Sequence, residues 1–178
     1  MREKKDMKMN LETERLIIRN LVPEDYKAVY KWCGDPKVNT YMIYPLYHSE
    51  EEVKEWLQTL DEEDPNSYEA GWVCKKTGQL IGSGGLVYQP EKDVWIIGYN
   101  LRADQWGNGY TVEALEGIMD YIRECHHIHA IEGRFAIENH NSKRVMEKLG
   151  MTFHQDSEYE KLDGSMKFKA NIYRKEYD

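Results

Sequence analysis

The segment from Trp95 to Leu115 constrains the fold most strongly, because it reads as an apolar strand, a glycine turn and the start of an amphipathic helix. The turn is Gly107-Asn-Gly109, and the helix follows directly. Backbone N–H groups in the first turn of a helix lack intrahelical partners, and the helix dipole adds positive charge there, so the position favours an anion. Glycine has no Cβ, which lets a phosphate approach the main chain. The segment therefore predicts a phosphate-bearing ligand; a plain strand-to-helix turn is the alternative.

Two familiar phosphate motifs do not fit this turn. A dinucleotide fingerprint needs a third glycine where Val112 stands, and it lies near the start of its domain. A P-loop needs a Gly-Lys-Ser/Thr sequence, which does not follow. A second glycine cluster, Gly82-Ser-Gly-Gly85, lies inside a strand pattern, so we interpret it as a bulge or a close approach between strands.

Composition limits the classes of protein to consider. The chain has 178 residues and a formal net charge of -8, and we expect a charged segment over 1–10 followed by a single domain over 11–178. No apolar run reaches the roughly 18 residues of a transmembrane helix, and the N-terminus lacks an apolar signal region. Scattered cysteines fit free thiols in a reducing cytoplasm, where we expect the protein to act. We expect no membrane or nucleic-acid partner, whereas an amine substrate is compatible with the negative charge.

Hydrophobic periodicity and turn residues predict one α/β domain, built on a mixed α+β sheet with element order β-α-α-β-β-β-α-β-α-β-β. The predicted strands are Glu14–Arg19, Tyr68–Lys76, Gln79–Val87, Val94–Leu101, Ala130–Ile137, Met151–Lys161 and Met166–Lys175. The predicted helices are Pro23–Cys33, one that starts at Ser49 with a Ser49–Glu52 capping box, Thr111–Cys125, and Asn141–Leu149.

Two polar residues at the start of the last predicted helix are candidate ligand-binding residues. Asn139 precedes the helix and can cap its N-terminus. Ser142 lies at helical spacing from Met146 and Leu149, so it faces the sheet, where a hydroxyl needs a partner. We expect a ligand heteroatom to be that partner, and capping alone is the alternative.

Several other residues each have a structural and a functional interpretation. Glu132 and Arg134 share one face of their strand, so they form either a structural ion pair or a site in which Glu132 accepts a proton. The loop before the second helix carries aromatic rings that either line a substrate pocket or pack at the sheet edge, namely Tyr41, Tyr44 and Tyr47. Cys125 lies near His126, His127 and His129, but no distant set of ligands completes a zinc site, so we expect no metal.

The whole pattern resembles the GNAT acetyltransferase superfamily, in the branch of the RimJ/RimL-type ribosomal-protein N-terminal acetyltransferases. The likeness runs from about Leu11 to Tyr173 and depends on three motifs in order. These are Glu12-Thr-Glu-Arg-Leu-Ile-Ile-Arg19, then Gly98-Tyr-Asn-Leu101 with Gln105-Trp-Gly-Asn-Gly-Tyr110, and finally Glu138-Asn-His-Asn-Ser142 running into Val145-Met-Glu-Lys-Leu-Gly-Met151.

The resemblance implies a single-domain GNAT fold with a splayed central sheet and an acetyl-CoA site. The pyrophosphate would lie on the amides of Trp106, Gly107, Asn108, Gly109, Tyr110 and Thr111. The pantetheine arm would pair with the end of the preceding strand, at Tyr99, Asn100 and Leu101, while the strands carrying Leu101 and Ala136 splay apart to admit it. Asn139 would hydrogen-bond this arm, and Ser142 would lie near the sulfur and support the departing thiolate.

The implied chemistry is direct attack of a neutral amine on the thioester within a ternary complex. The Leu101 N–H is our candidate oxyanion donor. Family members often carry a glutamate where Ile96 stands, which leaves Glu132 or a water as the proton acceptor. Without a strong base the site suits an α-amine, whose pKa is about 7.7–8.0, better than a lysine near 10.4.

The expected acceptor is therefore a protein N-terminal amine, with Tyr41 and Tyr44 shaping its pocket. The alternatives are a small amine such as a polyamine or an aminoglycoside, and a non-catalytic CoA-binding regulatory module. A homodimer is compatible with pairing through an edge strand or through the closing hairpin.

Overall fold

The computed structural model describes residues 9–61 and 63–177. The strands are β1 Asn10–Glu12, β2 Leu16–Arg19, β3 Ser67–Cys74, β4 Leu80–Gln89, β5 Val94–Leu101, β6 Ala130–Ala136, β7 Thr152–Glu160 and β8 Lys167–Glu176. The α-helices are α1 Tyr26–Cys33, α2 Pro36–Asn39, α3 Glu50–Gln58, α4 Tyr110–Cys125 and α5 His140–Lys148. Single 3-10 turns precede α1 and follow β5.

All the strands join one sheet in the order β1-β2-β3-β4-β5-β6-β8-β7. Neighbouring strands are antiparallel except for β5 and β6, which are parallel. The predicted mixed sheet is confirmed, with two additions to the element order. The predicted first strand, Glu14–Arg19, corresponds to β2, and an unpredicted strand β1 precedes it across a turn in which the Leu16 N–H donates to Thr13 Oγ1 at 3.1 Å. The extra helix α2 begins at Pro36, where Asp35 caps it by accepting from the Lys37 N–H at 2.9 Å.

The capping box predicted for α3 is only half formed. The Ser49 hydroxyl accepts from the Glu52 N–H at 3.2 Å, as expected. The Glu52 carboxylate, however, accepts from the N–H of His48 at 2.9 Å, one residue before the cap. The helix start is nevertheless where the sequence places it, because both interactions satisfy main-chain donors at the N-terminus.

Helices cover both faces of the sheet. On one face α4 buries an apolar stripe in which Leu115, Ile118 and Ile122 have no exposed surface. On the other face α1 and α3 bury a separate cluster that contains Trp32 and Val53. Each such side chain stabilises the fold by roughly 1.5–3 kcal/mol. This burial fixes α4 against the sheet, and with it the glycine turn that precedes α4.

The sheet opens between β5 and β6. Their parallel pairing is restricted to Trp95 opposite Ile131 and Ile96 opposite Glu132. Beyond these residues β5 remains paired with β4 and β6 with β8 to their ends, so the two strands separate from each other. The expected splay is confirmed. The glycine turn follows β5 and α5 follows β6, so both begin at the mouth of this gap.

The glycine cluster in β4 contains both a bulge and a close approach. The register of β3 against β4 shifts after Trp72, which leaves Ile81 as the extra residue. A Cβ on Gly82 would lie 2.6 Å from the Asn100 oxygen, and one on Gly84 would overlap the main chain of β5. The interpretation of this cluster is confirmed. None of the helices in the described part of the chain is both long and apolar enough to cross a membrane.

Candidate functional site

The glycine turn between β5 and α4 presents bare main chain. Gly107 and Gly109 have φ angles of +81° and +79°, in the left-handed region that favours glycine. Helix α4 begins at Tyr110, and no described side chain caps its N-terminus. A Cβ placed on Gly107 would meet no described atom within 4 Å. The turn therefore has the open approach to helix N–H groups that an anion needs.

An ion-pair network holds the turn from the side of β1 and β2. Glu113 accepts from Thr13 Oγ1 at 2.5 Å, from the Arg15 N–H at 2.8 Å and from Arg15 Nε at 2.7 Å. Arg15 also donates from Nη1 to the Asn108 oxygen at 2.9 Å and lies 4.3 Å from the ring centre of Tyr110. The Asn108 side chain donates back into the preceding turn. These contacts fix the shape of the turn.

A cavity of about 670 Å³ lies in front of the turn and is called the first cavity here. Its lining includes Tyr99, Asn100, Leu101, Trp106, Gly107, Gly109, Tyr110, Thr111, Asn139 and Ser142. The structure thus brings the predicted cofactor residues to one place, except Asn108, which is not in the lining. A cofactor contact of the Asn108 amide stays a prediction.

The first cavity is basic although the chain is acidic. Lys37, Arg144 and Lys148 line it, against a single carboxylate, that of Glu138, among the described residues. The whole chain has a net charge of -8, so this local excess of positive charge is opposite in sign to the charge of the chain. Such a concentration favours a ligand with several negative charges.

The edge of β5 that faces the gap carries main-chain groups directed away from β4. The Arg102 N–H donates to the Ile81 oxygen at 2.8 Å, and Leu101 occupies the next position of the register. Bonded and non-bonded pairs alternate in an antiparallel ladder, so Leu101 and Tyr99 direct their N–H and C=O groups toward the gap. Trp106 Nε1 donates to the Leu101 oxygen at 2.8 Å. The Leu101 N–H therefore points into the gap, as an oxyanion donor must.

A hydroxyl pair joins β5 to α5 across the gap. The Tyr99 hydroxyl donates to Ser142 Oγ at 2.7 Å, and Asn139 Nδ2 donates to the same oxygen at 3.1 Å. Burial raises the pKa of Tyr99 to about 12, so its proton is retained at neutral pH. Because Ser142 Oγ already accepts these two hydrogen bonds, the Ser142 hydroxyl can donate its own proton to a third group. The prediction that Ser142 faces the sheet is confirmed, and Tyr99 is its partner in the protein.

Both interpretations of Asn139 find support in the same geometry. Asn139 Oδ1 accepts from the Ser142 N–H at 3.3 Å, which is the predicted N-cap. Its Nδ2 is directed to the Ser142 hydroxyl and its side chain lines the first cavity. The cap therefore holds Asn139 at the cavity wall, where its ligand role stays a prediction.

A second cavity, of about 450 Å³, opens where the gap reaches the other face of the sheet. Residues that line both cavities are Tyr41, Met42, Tyr99, Asn139 and Ser142. The Tyr99–Ser142 pair therefore lies where the two cavities meet. A group held in the first cavity and a group held in the second can approach each other at this point.

Two of the three loop tyrosines belong to the second cavity. Tyr41 and Tyr44 line it, and Asn100 Nδ2 donates to the Tyr44 hydroxyl at 3.1 Å. Tyr47 packs instead on Trp56, with ring centres 6.3 Å apart. Tyr41 and Tyr44 therefore line a pocket, which was the first alternative, whereas Tyr47 has a packing role, which is nearer the second.

The hairpin of β7 and β8 fastens the loop that carries these tyrosines. Lys161 donates from Nζ to the Asn39 oxygen at 2.8 Å, to Asn39 Oδ1 at 3.0 Å and to the Met42 oxygen at 2.8 Å. The Tyr159 hydroxyl donates to the Tyr41 oxygen at 2.7 Å. Burial lowers the pKa of Lys161. Sequence reasoning missed Lys161, because a lone lysine before a hairpin turn has no local signal for a partner about 120 residues away.

Glu132, the predicted proton acceptor, is buried in the wall of the second cavity. Its carboxylate accepts from Arg174 Nη1 at 2.6 Å. The ion pair with Arg134, which was the alternative, is wrong. Arg134 lies 5.1 Å from the ring centre of Tyr159 and donates to the Glu158 oxygen at 3.4 Å. The reason is the register, which places Arg174 directly opposite Glu132 on the neighbouring strand β8.

Glu69 on β3 is a candidate that sequence reasoning missed. Its side chain lines the second cavity, and it forms no hydrogen bond or ion pair with another residue in the described ranges. It lies opposite Gly85, which lies opposite Gly98, so two glycines clear the sheet face between Glu69 and the gap. Desolvation raises the pKa of the Glu69 carboxyl. The glycines were visible in the sequence, but only the register aligns them with Glu69.

The histidine-rich stretch after α4 does not form a metal centre. His126 Nε2 lies 2.7 Å from the Tyr68 hydroxyl, and its ring lies 5.3 Å from that of Trp95. In residues 9–61 and 63–177, no group of three or more His, Cys, Asp or Glu side chains is placed to hold a metal ion. The stretch stabilises an aromatic cluster at the far end of the sheet.

Comparisons with known proteins agree with this architecture. The family described as acetyltransferase (GNAT) domain matches residues 15–152. A relative named uncharacterized N-acetyltransferase p20, from Bacillus licheniformis, is 26% identical over 177 residues, which cover 94% of this chain and 97% of the relative.

Solved structures share the fold. The GNAT-family acetyltransferase from Bacillus anthracis aligns with a TM-score of 0.80 and 21% identity, over 94% of this chain and 98% of that one. RimL, the ribosomal L7/L12 α-N-protein acetyltransferase, solved in complex with coenzyme A, aligns with a TM-score of 0.76 and 20% identity, over 93% and 96% of the two chains. At these identities the likeness concerns the fold.

Proposed function

This chain belongs to the GNAT acetyltransferase family, and we propose that it moves an acetyl group from acetyl-CoA to a protein N-terminal α-amine by direct attack in a ternary complex. The observation that carries the proposal is the open gap between β5 and β6, bordered by the bare glycine turn. Free thiols at Cys33, Cys74 and Cys125 support action in a reducing cytoplasm.

The first cavity is suited to the cofactor. The amides from Trp106 to Thr111 would bind the pyrophosphate, and Lys37, Arg144 and Lys148 add positive charge for further phosphate oxygens. The gap-facing main chain of Tyr99 and Leu101 would pair with the pantetheine arm, with Asn139 on its other side. This arrangement directs the thioester to the point where the two cavities meet.

The reaction then needs three groups around the thioester carbon. The amine nitrogen forms the new C–N bond while the Leu101 N–H stabilises the oxyanion, a donor typically worth about 3 kcal/mol. The C–S bond breaks and its electron pair leaves with the sulfur as a thiolate, which accepts a hydrogen bond from the Ser142 hydroxyl while Tyr99 donates to Ser142 Oγ at 2.7 Å, and solvent then protonates the released thiolate. The proton lost by the amine goes to a carboxylate on the side of the second cavity.

Two carboxylates can accept that proton, Glu132 and Glu69, since both line the second cavity. Glu132 is engaged with Arg174 at 2.6 Å, whereas Glu69 has no ion-pair partner among the described residues. Desolvation raises the pKa of Glu69, which makes its carboxylate a stronger base than an ordinary glutamate. We therefore assign the proton to Glu69, directly or through one water, and keep Glu132 as the alternative.

The choice of acceptor is tested with acetyl-CoA and a panel of amines, following the release of free thiol. The panel contains short peptides with a free N-terminus, Nα-blocked lysine, spermidine and an aminoglycoside. We expect the free N-termini to give the highest kcat/KM. If only spermidine or the aminoglycoside is acetylated, the acceptor is a small amine and not a protein N-terminus. CoA binding without acetylation of any amine would indicate a regulatory module.

Changing Ser142 to alanine should lower kcat about 10-fold and leave the Kd for CoA within about threefold. The effect is modest, because a thiol with a pKa near 8.5 leaves readily as thiolate near neutral pH. Steady-state kinetics and calorimetric titration with CoA give the two constants. The matched control is Ser165→Ala on the exposed hairpin turn. A loss found wholly in CoA affinity would mean that Ser142 only binds the cofactor.

Changing Lys161 to methionine should raise the KM for the amine about 10-fold with little change in kcat. The carbonyls of Asn39 and Met42 lose their donor, and an unsatisfied buried acceptor costs about 1–3 kcal/mol, so the loop with Tyr41 and Tyr44 loosens. Lys167→Met is the control, since that side chain is 64% exposed. An unchanged KM in Lys161→Met would show that the loop does not contact the acceptor.

A further inference from the structure

We propose that the acceptor carries an anionic group in addition to its reacting amine, and that Arg134, with Lys92, binds this group. The inference rests on the proposed function and concerns the class of amine. It follows from the positions of the charges around the second cavity rather than from its size.

Glu69 and Arg134 lie on the same face of the sheet, on strands that flank the gap from its two sides. Glu69 on β3 lies opposite Gly85 on β4, and Gly85 lies opposite Gly98 on β5. The parallel pair of Ile96 with Glu132 places Arg134, two residues further along β6, level with Gly98 and on the same face. Glu69, Gly85, Gly98 and Arg134 thus form one row across the sheet. The carboxylate and the guanidinium border the second cavity at the two ends of this row.

Between these two charges the row offers open space. A Cβ on Gly98 would meet no described atom within 4 Å, whereas one on Gly85 would overlap the main chain of Tyr68, so the open space lies at Gly98. Strands are spaced about 4.8 Å apart, and the splay adds to the distance across the gap. The Cα atoms of Glu69 and Arg134 are therefore three strand spacings apart, about 14 Å before the splay is added, and an acceptor whose amine and anion are several bonds apart can bridge the two charges.

The cations of the second cavity have no carboxylate partners in the described part of the chain. Arg134 is exposed, stacks on Tyr159 and reaches only a carbonyl, at 3.4 Å. Lys92 is exposed and forms no ion pair with a described residue. Glu132, by contrast, is neutralised by Arg174. The unmatched charges are therefore one carboxylate and two cations.

This balance disfavours a polycation. A polyamine or an aminoglycoside needs several carboxylates, whereas Glu69 is the one unpaired carboxylate among the described lining residues, which also include the cations Lys92 and Arg134. An amine that also carries a carboxylate or a phosphate matches both ends of the row. The same chemistry is found in a protein N-terminus with an acidic second residue and in a free amino acid, and the experiment separates the two.

The test compares three tetrapeptide amides with a free N-terminal serine and glutamate, glutamine or lysine at the second position. Free glutamate and spermidine complete the set. For the wild-type chain we expect kcat/KM to be at least 10-fold higher for the glutamate peptide than for the glutamine peptide, and lowest for the lysine peptide and spermidine. A free amino acid that outperforms every peptide would identify the small-molecule source of the same chemistry.

The variant Arg134→Gln should remove the advantage of the glutamate peptide and leave the glutamine peptide within about threefold. Arg123→Gln is the matched control, because Arg123 also stacks on a tyrosine, 4.6 Å from the ring of Tyr177, away from either cavity. A preference for glutamate that survives in Arg134→Gln, or a wild-type preference for the lysine peptide over the glutamate peptide, overturns the inference alone. Turnover of spermidine alone replaces the acceptor class of the proposed function, and no amine-dependent thiol release with any member of the set overturns the proposed function itself, so the failures are distinct.

Discussion

Replacing Glu69 by glutamine should lower kcat/KM for acetyl transfer by about 10²–10⁴-fold, the range typical of a lost general base. Glutamine keeps the shape of the side chain but cannot accept the proton of the amine. Glu69 lies on the acceptor side of the gap, so the Kd for CoA should change by less than about threefold. Initial rates of thiol release and calorimetric titration with CoA give both numbers on the same preparation.

The pH profile separates the role of Glu69 from a structural one. Desolvation raises the pKa of Glu69, so in the wild-type chain kcat/KM should fall on the acidic side at a pH above the ordinary range of a glutamate. In Glu69→Gln, the pH profile of kcat/KM should lose this fall and keep the one that is caused by protonation of the amine substrate. The other ionisable groups around the cavity are Tyr41, Tyr44, Lys92, Tyr99, Glu132, Arg134 and Tyr159.

Two companion variants make the result specific. Glu132→Gln removes the other carboxylate of the cavity, and Glu51→Gln removes an exposed one on α3 as a control. We expect Glu51→Gln to match the wild type. If Glu132→Gln abolishes the acidic limb while Glu69→Gln retains it, the proton goes to Glu132, as the sequence first suggested.

Replacing Gly107 by aspartate should weaken CoA binding by about 10²-fold or more. The left-handed φ of +81° is one that aspartate tolerates better than most residues, so the fold should survive. The new side chain enters the open space in front of the turn and places a negative charge at the predicted pyrophosphate position. At an effective dielectric constant of 20, two unit charges about 4 Å apart repel by roughly 4 kcal/mol.

Gly78→Asp provides a close control for this variant. Gly78 also has a left-handed φ, of +71°, and a Cβ there would likewise meet no described atom within 4 Å. It lies in the hairpin between β3 and β4 and lines neither cavity. Thermal denaturation should show similar losses for the two variants, while only Gly107→Asp loses CoA affinity. Equal affinities in both would contradict the anion site.

The cofactor side of the site could be predicted from the sequence because its parts are local. Strand, turn and helix follow one another from Tyr99 to Thr111, and the spacing of Asn139 and Ser142 sets their positions at a helix start. Glycine conformation and N-terminal capping act over a few residues, so their signals are legible along the chain. The structure gathers these residues around one cavity, with Asn108 turned into the loop.

The acceptor side could not be predicted in the same way, because its contacts cross between distant strands. Glu132 pairs with Arg174, 42 residues away, rather than with its neighbour Arg134. Glu69 is significant only because the register aligns it with two glycines of β4 and β5. Lys161 fastens a loop about 120 residues earlier. Registers and long-range contacts of this kind follow from the assembled sheet, which one strand's pattern does not specify.

The central claim is that the diphosphate of CoA lies on the turn at Gly107–Gly109 while its thiol-bearing arm enters the gap between β5 and β6. A crystal structure of the complex with CoA measures this directly. The account predicts phosphate oxygens at hydrogen-bond distance from the amides at the start of α4, about 2.7–3.2 Å, and sulfur beside Ser142. A diphosphate bound elsewhere, or a gap that stays empty while CoA occupies another surface, would contradict it.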